Sequence, residues 1–275
     1  MKLAIVSDEI TQDFEHALKV IKELGVELVE IRTLWNKNIV ELSDTELDNV
    51  KNLLKKYGLT VSHVASPAFK IYIGDKRGFE NHLKIIRKAI ELTKLFDLNY
   101  TRIFTFWWQG SLDLYLDTLI DRIRYALDIA KDEGVYLIIE NEYSCFVGTG
   151  FETKVVLDKI GSPWLKVLWD PGNAFFARET PYPIGYNYVK DQVMYMHLKD
   201  AVVDERGRFI WRPIGKGAID YYGQLKEVAK KDIVVSLETH YTPQGGTKED
   251  GTKESFKGLM DIMNKVMEEL GLSLS

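Results

Sequence analysis

The stretch VYLIIENEY, Val135 to Tyr143, decides how the rest of the chain is read. Its first five residues are apolar or aromatic and rich in β-branched types, the composition of a short buried strand. Glu140, Asn141 and Glu142 follow without a break. A strand buried on both faces does not end in two carboxylates unless something at that end needs negative charge. The stretch therefore poses two questions: what sheet it belongs to, and what Glu140 holds.

Seven further apolar runs of similar length surround it, at residues 2–8, 26–32, 59–65, 100–106, 165–171, 193–199 and 232–238. Amphipathic segments separate them. FEHALKVIKELG carries apolar residues at helical spacing and stops at Gly25. The next opens at Ser43 with Glu46 three residues on, a capping-box arrangement, and ends at Tyr57-Gly58. NHLKIIRKAIELTKLF, LDTLIDRIRYALDIAKDEG and FKGLMDIMNKVMEEL obey the same rule, and shorter helices are expected near 152–160, 182–191 and 221–230. Eight strand–helix units with no Gly/Ser-rich linker predict an α/β chain forming a single (β/α)8 TIM barrel over residues 1–275. The alternative is a doubly wound open sheet. HYTPQGGTKEDGTKES (240–255) follows the last strand as a polar loop, either a lid or a solvated connection.

A net charge of −5 and a pI near 5.7 argue against a nucleic-acid or polyanion binder. The single cysteine, Cys145, excludes an intramolecular disulfide, fits a reducing compartment, and is expected to be a small packed residue. MKLAIVSDEI is stopped by Asp8 and does not read as a signal peptide, and no apolar stretch approaches a membrane span. The expectation is a cytoplasmic protein with no membrane partner.

In a barrel the C-terminal ends of all strands open on one face. Runs five to eight end in Glu140, Asp170, His197 and Glu238. Singly, each has an ordinary reading: a solvated strand-end charge, a turn residue before Pro171-Gly172, a satisfied core histidine, a partner for a nearby lysine. Together, three carboxylates at one mouth would repel, and a divalent cation removes that conflict. Two Glu, one Asp and one imidazole form a hard, oxygen-rich set suited to manganese or magnesium, with cobalt as a third choice, and the lack of cysteine speaks against structural zinc.

At this point the chain resembles the sugar phosphate isomerases/epimerases, xylose-isomerase-like barrels, and most of all their ketose 3-epimerase (D-tagatose 3-epimerase-like) branch. The resemblance rests on IIEN, LWDPGN, HLKD, PIGKGAID and SLETH, in that order and at the expected strand ends. It implies that Glu140, Asp170, His197 and Glu238 bind one divalent metal, usually Mn2+, and that Glu140 and Glu238 also serve as acid and base. The implied reaction inverts a carbon adjacent to the ketone of a ketose or keto-sugar acid through an enediolate. Departures from the pattern are Asn173, where many members have a histidine, and Lys216, where an acidic residue is frequent. The basic residue that several epimerases place after the strand-seven motif has no clear counterpart, with Arg206, Arg208 and Arg212 lying downstream.

His63, Trp107, Glu142, Asn173 and Arg212 are the candidates for touching a small-molecule sugar or sugar-acid substrate, each weighed against a packing or solvated-rim role. Trp35 and Trp108 share the aromatic alternative. Arg32, Lys199, Arg212 and Lys216 follow strands or lie in site-end loops, so the substrate could carry a carboxylate or phosphate. The same metal site would serve an aldose–ketose isomerase or an inosose-type dehydratase. A sugar-binding protein without catalysis is a further alternative. An endonuclease IV-like repair enzyme is a distant one, because only five histidines are present and His16 and His82 fall in helical segments. A homo-oligomer is compatible with all of these.

Overall fold

The computed structural model describes residues 1–272. Eight parallel strands, one in each apolar run, form the sheet: β1 Lys2–Val6, β2 Leu28–Ile31, β3 Thr60–Val64, β4 Tyr100–Ile103, β5 Tyr136–Glu140, β6 Leu165–Trp169, β7 Val193–Leu198 and β8 Val234–Leu237. Their order is β3-β2-β1-β8-β7-β6-β5-β4, so β1 pairs with both β2 and β8. Sequential order around a ring is the barrel topology, and the open doubly wound alternative is excluded. The one seam, between β3 and β4, is bridged by single bonds rather than a ladder. Phe104 N donates to Ala68 O at 2.9 Å, Tyr100 Oη to Ser62 O at 2.7 Å and Arg102 Nε to Ser66 O at 3.2 Å.

Strand side chains alternate between the lumen and the helix layer. Leu137 and Ile139 of β5 pack outward with the helices, whereas Ile138 packs inward with Leu168 and Tyr195. Glu140, two residues beyond Ile138, therefore shares the lumen face. The same parity brings Asp170 in after Leu168 and His197 in after Tyr195. Deeper in the lumen the filling is polar as well as apolar: Tyr195 Oη lies 2.9 Å from Ser62 Oγ and donates to Glu30 Oε2 at 3.0 Å.

Nine α-helices are present among the described residues: α1 Phe14–Glu23, α2 Asp44–Tyr57, α3 Lys76–Leu95, α4 Leu116–Asp132, α5 Gly150–Ile160, α6 Pro171–Phe176, α7 Tyr186–Val189, α8 Tyr221–Val228 and α9 Lys248–Leu270. The Ser43/Glu46 capping box starts α2, and Gly58 ends it at φ 64°.

Three expectations need correction. The helix expected at 182–191 is a π-helical segment over Pro181–Gly185, kinked at Tyr182 (φ −132°), that runs into an α-helix over Tyr186–Val189. The chain also turns helical directly after Asp170, which caps α6. The polar stretch 240–255 is not all loop: Thr247 and Asp250 form a capping box and α9 begins at Lys248. Polar composition there belongs to the first two turns of α9, whose Gly251, Thr252 and Ser255 are buried, not to a long lid. A third difference is an unforeseen antiparallel hairpin directly after β7, Asp200–Val203 against Phe209–Arg212.

Candidate metal centre and cavity

Glu140, Asp170, His197 and Glu238 converge at the C-terminal mouth, each offering one ligand atom, all four within 4.8 Å of one another. His197 Nδ1 lies 3.6 Å from Glu140 Oε1, 3.5 Å from Asp170 Oδ2 and 3.2 Å from Glu238 Oε2. All four residues are buried. Two of these atoms, His197 Nδ1 and Asp170 Oδ2, make no hydrogen bond. Asp170 Oδ2 has the Lys199 ammonium 2.8 Å away, but His197 Nδ1 has no donor or cation beside it, and a buried imidazole nitrogen left open among three carboxylate oxygens calls for a cation. The residues fit a divalent metal.

Glu30 supports that set from below. Its two oxygens lie 3.0 and 3.1 Å from His197 Nε2, and Oε1 is 3.1 Å from His63 Nδ1. A carboxylate on Nε2 keeps the proton there and leaves the Nδ1 lone pair for a metal. Burial opposes charge on His197, but Glu30, Glu238 and Glu140 together raise its pKa well above that of a free imidazole. A metal would replace the second proton that these carboxylates favour. Glu30→Gln is expected to weaken divalent-metal binding by roughly 10- to 100-fold, read by calorimetric titration. Unchanged affinity would mean that Glu30 only fills the lumen.

Above the carboxylates stands a collar of cations. Arg102 Nη1 donates to Glu140 Oε2 at 2.7 Å. Arg32 donates to Glu238 through Nη1, to Asp8 at 2.8 Å and to Glu9 at 2.6 Å through Nη2. Lys199 Nζ donates to Glu238 Oε2 at 2.7 Å and stands 2.8 Å from Asp170 Oδ2, without the alignment of a hydrogen bond to the latter. Gly172 is needed for this approach, since a Cβ there would meet Lys199 Cγ at 2.4 Å. Burial pushes the Glu140 pKa up, but Arg102 and His197 bring it down to about 2. Glu238 is likewise held well below the carboxylate range against burial, by Lys199, His197 and His240.

A cavity of about 350 Å³ opens over this floor. Tyr143, Trp211 and His240 line one side of it, with Phe176 behind: Tyr143–Phe176 centroids are 5.0 Å apart, Phe176–Trp211 4.1 Å and Trp211–His240 5.2 Å. An apolar wall facing charged groups suits a compact polar molecule with one less polar face.

Against family models, residues 18–262 match the family described as xylose isomerase-like TIM barrel. The chain belongs to that family. Curated proteins give no match. Among solved structures, the chain is similar to a probable 3-DHS dehydratase from Bacillus anthracis, at 18% identity and TM-score 0.76 over 94% of this chain and 99% of that one. It is similar to a D-allulose 3-epimerase from Methylomonas sp., at 16% identity and TM-score 0.74 over 96% and 98%. A third is a xylose isomerase-like TIM barrel protein from Mycobacterium smegmatis in complex with magnesium, at 17% identity and TM-score 0.72 over 92% and 89%. At these identities the likeness concerns the fold.

In this xylose isomerase-like barrel, Glu142 and Asn173 line the cavity. Asn173 Nδ2 donates to Glu140 Oε1 at 3.2 Å, so this residue holds a glutamate in place. His63, Trp107 and Arg212 are not among the lining residues. His63 is fully buried on Glu30. Phe106 takes φ 64° and turns the chain after β4, after which Trp107 bridges to Cys145, itself buried. Arg212 reaches only the Trp211 carbonyl, at 3.5 Å. Trp35 packs on Phe14, and Trp108 is exposed. Lys216 is an exposed turn residue between Gly215 and Gly217, whose amides donate to Asp200 Oδ2 at 3.0 and 2.9 Å. A Cβ at Gly217 would stand 1.9 Å from Asp200 Oδ1, which ties the HLKD and GKG motifs to one another.

The residues not foreseen are Glu30, Lys70, Arg102, Phe104, Trp211 and His240. Four of them were within reach of a period-two reading. On the parity of Ile138 and Glu140, the strands and their extensions read Glu30-Arg32, Tyr100-Arg102-Phe104, Tyr195-His197-Lys199 and Ser236-Glu238-His240. Lys70 and Trp211 lie outside the barrel strands, and no strand signal pointed to them. Among the described residues no helix is long and apolar enough to cross a membrane.

Proposed function

We propose that this protein is a metal-dependent sugar epimerase that inverts a carbon adjacent to the ketone of a ketose or keto-sugar acid, with one divalent ion, Mn2+ for preference, on Glu140, Asp170, His197 and Glu238. The observation that carries the proposal is the pair of buried glutamates at the cavity floor, each with one oxygen toward His197 and the other on an arginine. The hard donor set supports manganese, magnesium or cobalt over a thiophilic ion. A divalent ion would offset the negative charge that develops on the substrate's oxygens when the neighbouring carbon loses its proton.

The chain's own residues supply the rest. Glu140 and Glu238 approach from β5 and β8, so one can take the proton and the other return one to the opposite face. Arg102, Asn173 and Arg32 fix the two carboxylates in orientation. Inversion by this pair requires one glutamate ionised to take the proton and the other protonated to return one. Tyr143, Trp211 and His240 offer the wall against which a sugar's C–H face can pack. Likeness to a 3-epimerase and a dehydratase of the same fold supports carbohydrate chemistry of this kind without choosing between them.

Product analysis tests the choice. Incubated with manganese and a panel of ketoses, keto-sugar acids and their phosphates, the protein is expected to yield a product differing only in configuration beside the ketone, seen by NMR. A carbonyl moved to the adjacent carbon would make it an isomerase, and release of water a dehydratase.

A further inference from the structure

Phe104 is flanked by two cations. Lys70 Nζ lies 4.2 Å and Arg102 Cζ 4.5 Å from its ring centroid, and all three residues line the cavity. Each cation is held by one carboxylate, Lys70 by Glu142 at 2.9 Å and Arg102 by Glu140 at 2.7 Å. Neither is saturated. Lys70 spends one of its three N–H donors, and Arg102 uses Nη1 on Glu140 and Nε on Ser66 O, leaving Nη2 without a partner among the described residues. Two like charges beside one ring repel. The spare donors are not buried orphans, since the Lys70 side chain is 30% exposed, so they are open to an acceptor arriving in the cavity.

The Glu140 contact is shared with the candidate metal set. An ion drawing on Glu140 leaves Arg102 less compensated, while nothing changes at Lys70. Lys199 and Arg32, the other two cations lining the cavity, are taken up by Asp170, Glu238, Asp8 and Glu9. A neutral ketose hydroxyl can accept from one of these cations but brings no charge to offset their repulsion. A carboxylate or phosphate accepts from both and separates their charges.

We infer that the substrate carries an oxyanion, carboxylate or phosphate, seated between Lys70 and Arg102, with its ketone end toward Glu140 and Glu238. The inference rests on the metal-dependent epimerase reading for the charge that Glu140 gives up.

Calorimetric titration of the manganese-loaded protein with 2-ketohexuronates, 2-ketohexose 6-phosphates and 2-ketohexoses tests it. One anionic class is expected to bind at least roughly tenfold tighter than its neutral counterpart, the scale of one charge-assisted hydrogen bond. Which class does so distinguishes carboxylate from phosphate. Lys70→Met should remove that preference, with neutral ketose affinity as the control against a general loss of structure. Neutral sugars bound as tightly as both anionic classes would overturn the inference, as would a preference that survives Lys70→Met. Deuterium uptake from solvent, read on the same samples, separates the two claims. A preferred anionic sugar that takes up none leaves the oxyanion inference standing and removes the epimerase reading. Uptake confined to neutral ketoses does the reverse.

Discussion

Glu140→Gln and Glu238→Gln are each expected to lower turnover by at least roughly 10²-fold, the contribution of one positioned acid or base. The amide keeps the shape of the side chain and a weak oxygen ligand but cannot accept the substrate's proton. Each substitution also disturbs a buried ion pair, Arg102 with Glu140 or Arg32 and Lys199 with Glu238. Removing one partner of a buried pair costs roughly 3–5 kcal/mol, so melting temperature and metal content must be measured beside activity. A folded, metal-loaded variant with lost turnover supports the acid–base assignment. Wild-type turnover in either variant would remove that glutamate from the chemistry.

Chelation is expected to abolish activity and reloading to restore it, with one divalent ion bound per chain. The ligand atoms leave His197 Nδ1 and Asp170 Oδ2 without hydrogen bonds, so the folded protein has a ready site that the unfolded chain lacks. At a metal concentration 100 times its dissociation constant the folded state gains about 2.7 kcal/mol, and the melting temperature rises accordingly. Manganese, magnesium and cobalt should each produce the rise, in an order that activity can follow independently. Full activity in protein stripped of metal would end the metal-dependent reading.

Much of the fold was legible because period and punctuation agreed. Eight short apolar runs alternated with amphipathic segments, and every run holds a barrel strand. What failed was local. The segment after β6 is kinked at Tyr182 between Pro181 and Pro183, so only Tyr186–Val189 is α-helical, and the polar start of α9 has the composition of a loop although its capping box makes it a helix. In the site, Glu140, Asp170, His197 and Glu238 stood out as charges or imidazole closing apolar strands. Glu30 is as diagnostic, a carboxylate inside VELVEIR, yet its role depends on the distance to His197 across the lumen, which only closure of the barrel reveals. Arg102 has the same character in YTRIFTF. His63 shows the opposite limit: its place at the end of β3 suggested substrate contact, but side-chain direction places it on Glu30 and out of the cavity lining.

The central claim is that the metal centre and the two glutamates move a proton at a carbon beside a ketone. Its most direct measurement is deuterium uptake from D2O into a turned-over sugar, followed by NMR on stripped and manganese-reloaded protein. The reloaded protein is expected to place one deuterium on the inverted carbon, and the stripped protein none. Inversion with no solvent deuterium in the product, or equal uptake with and without metal, would contradict the account.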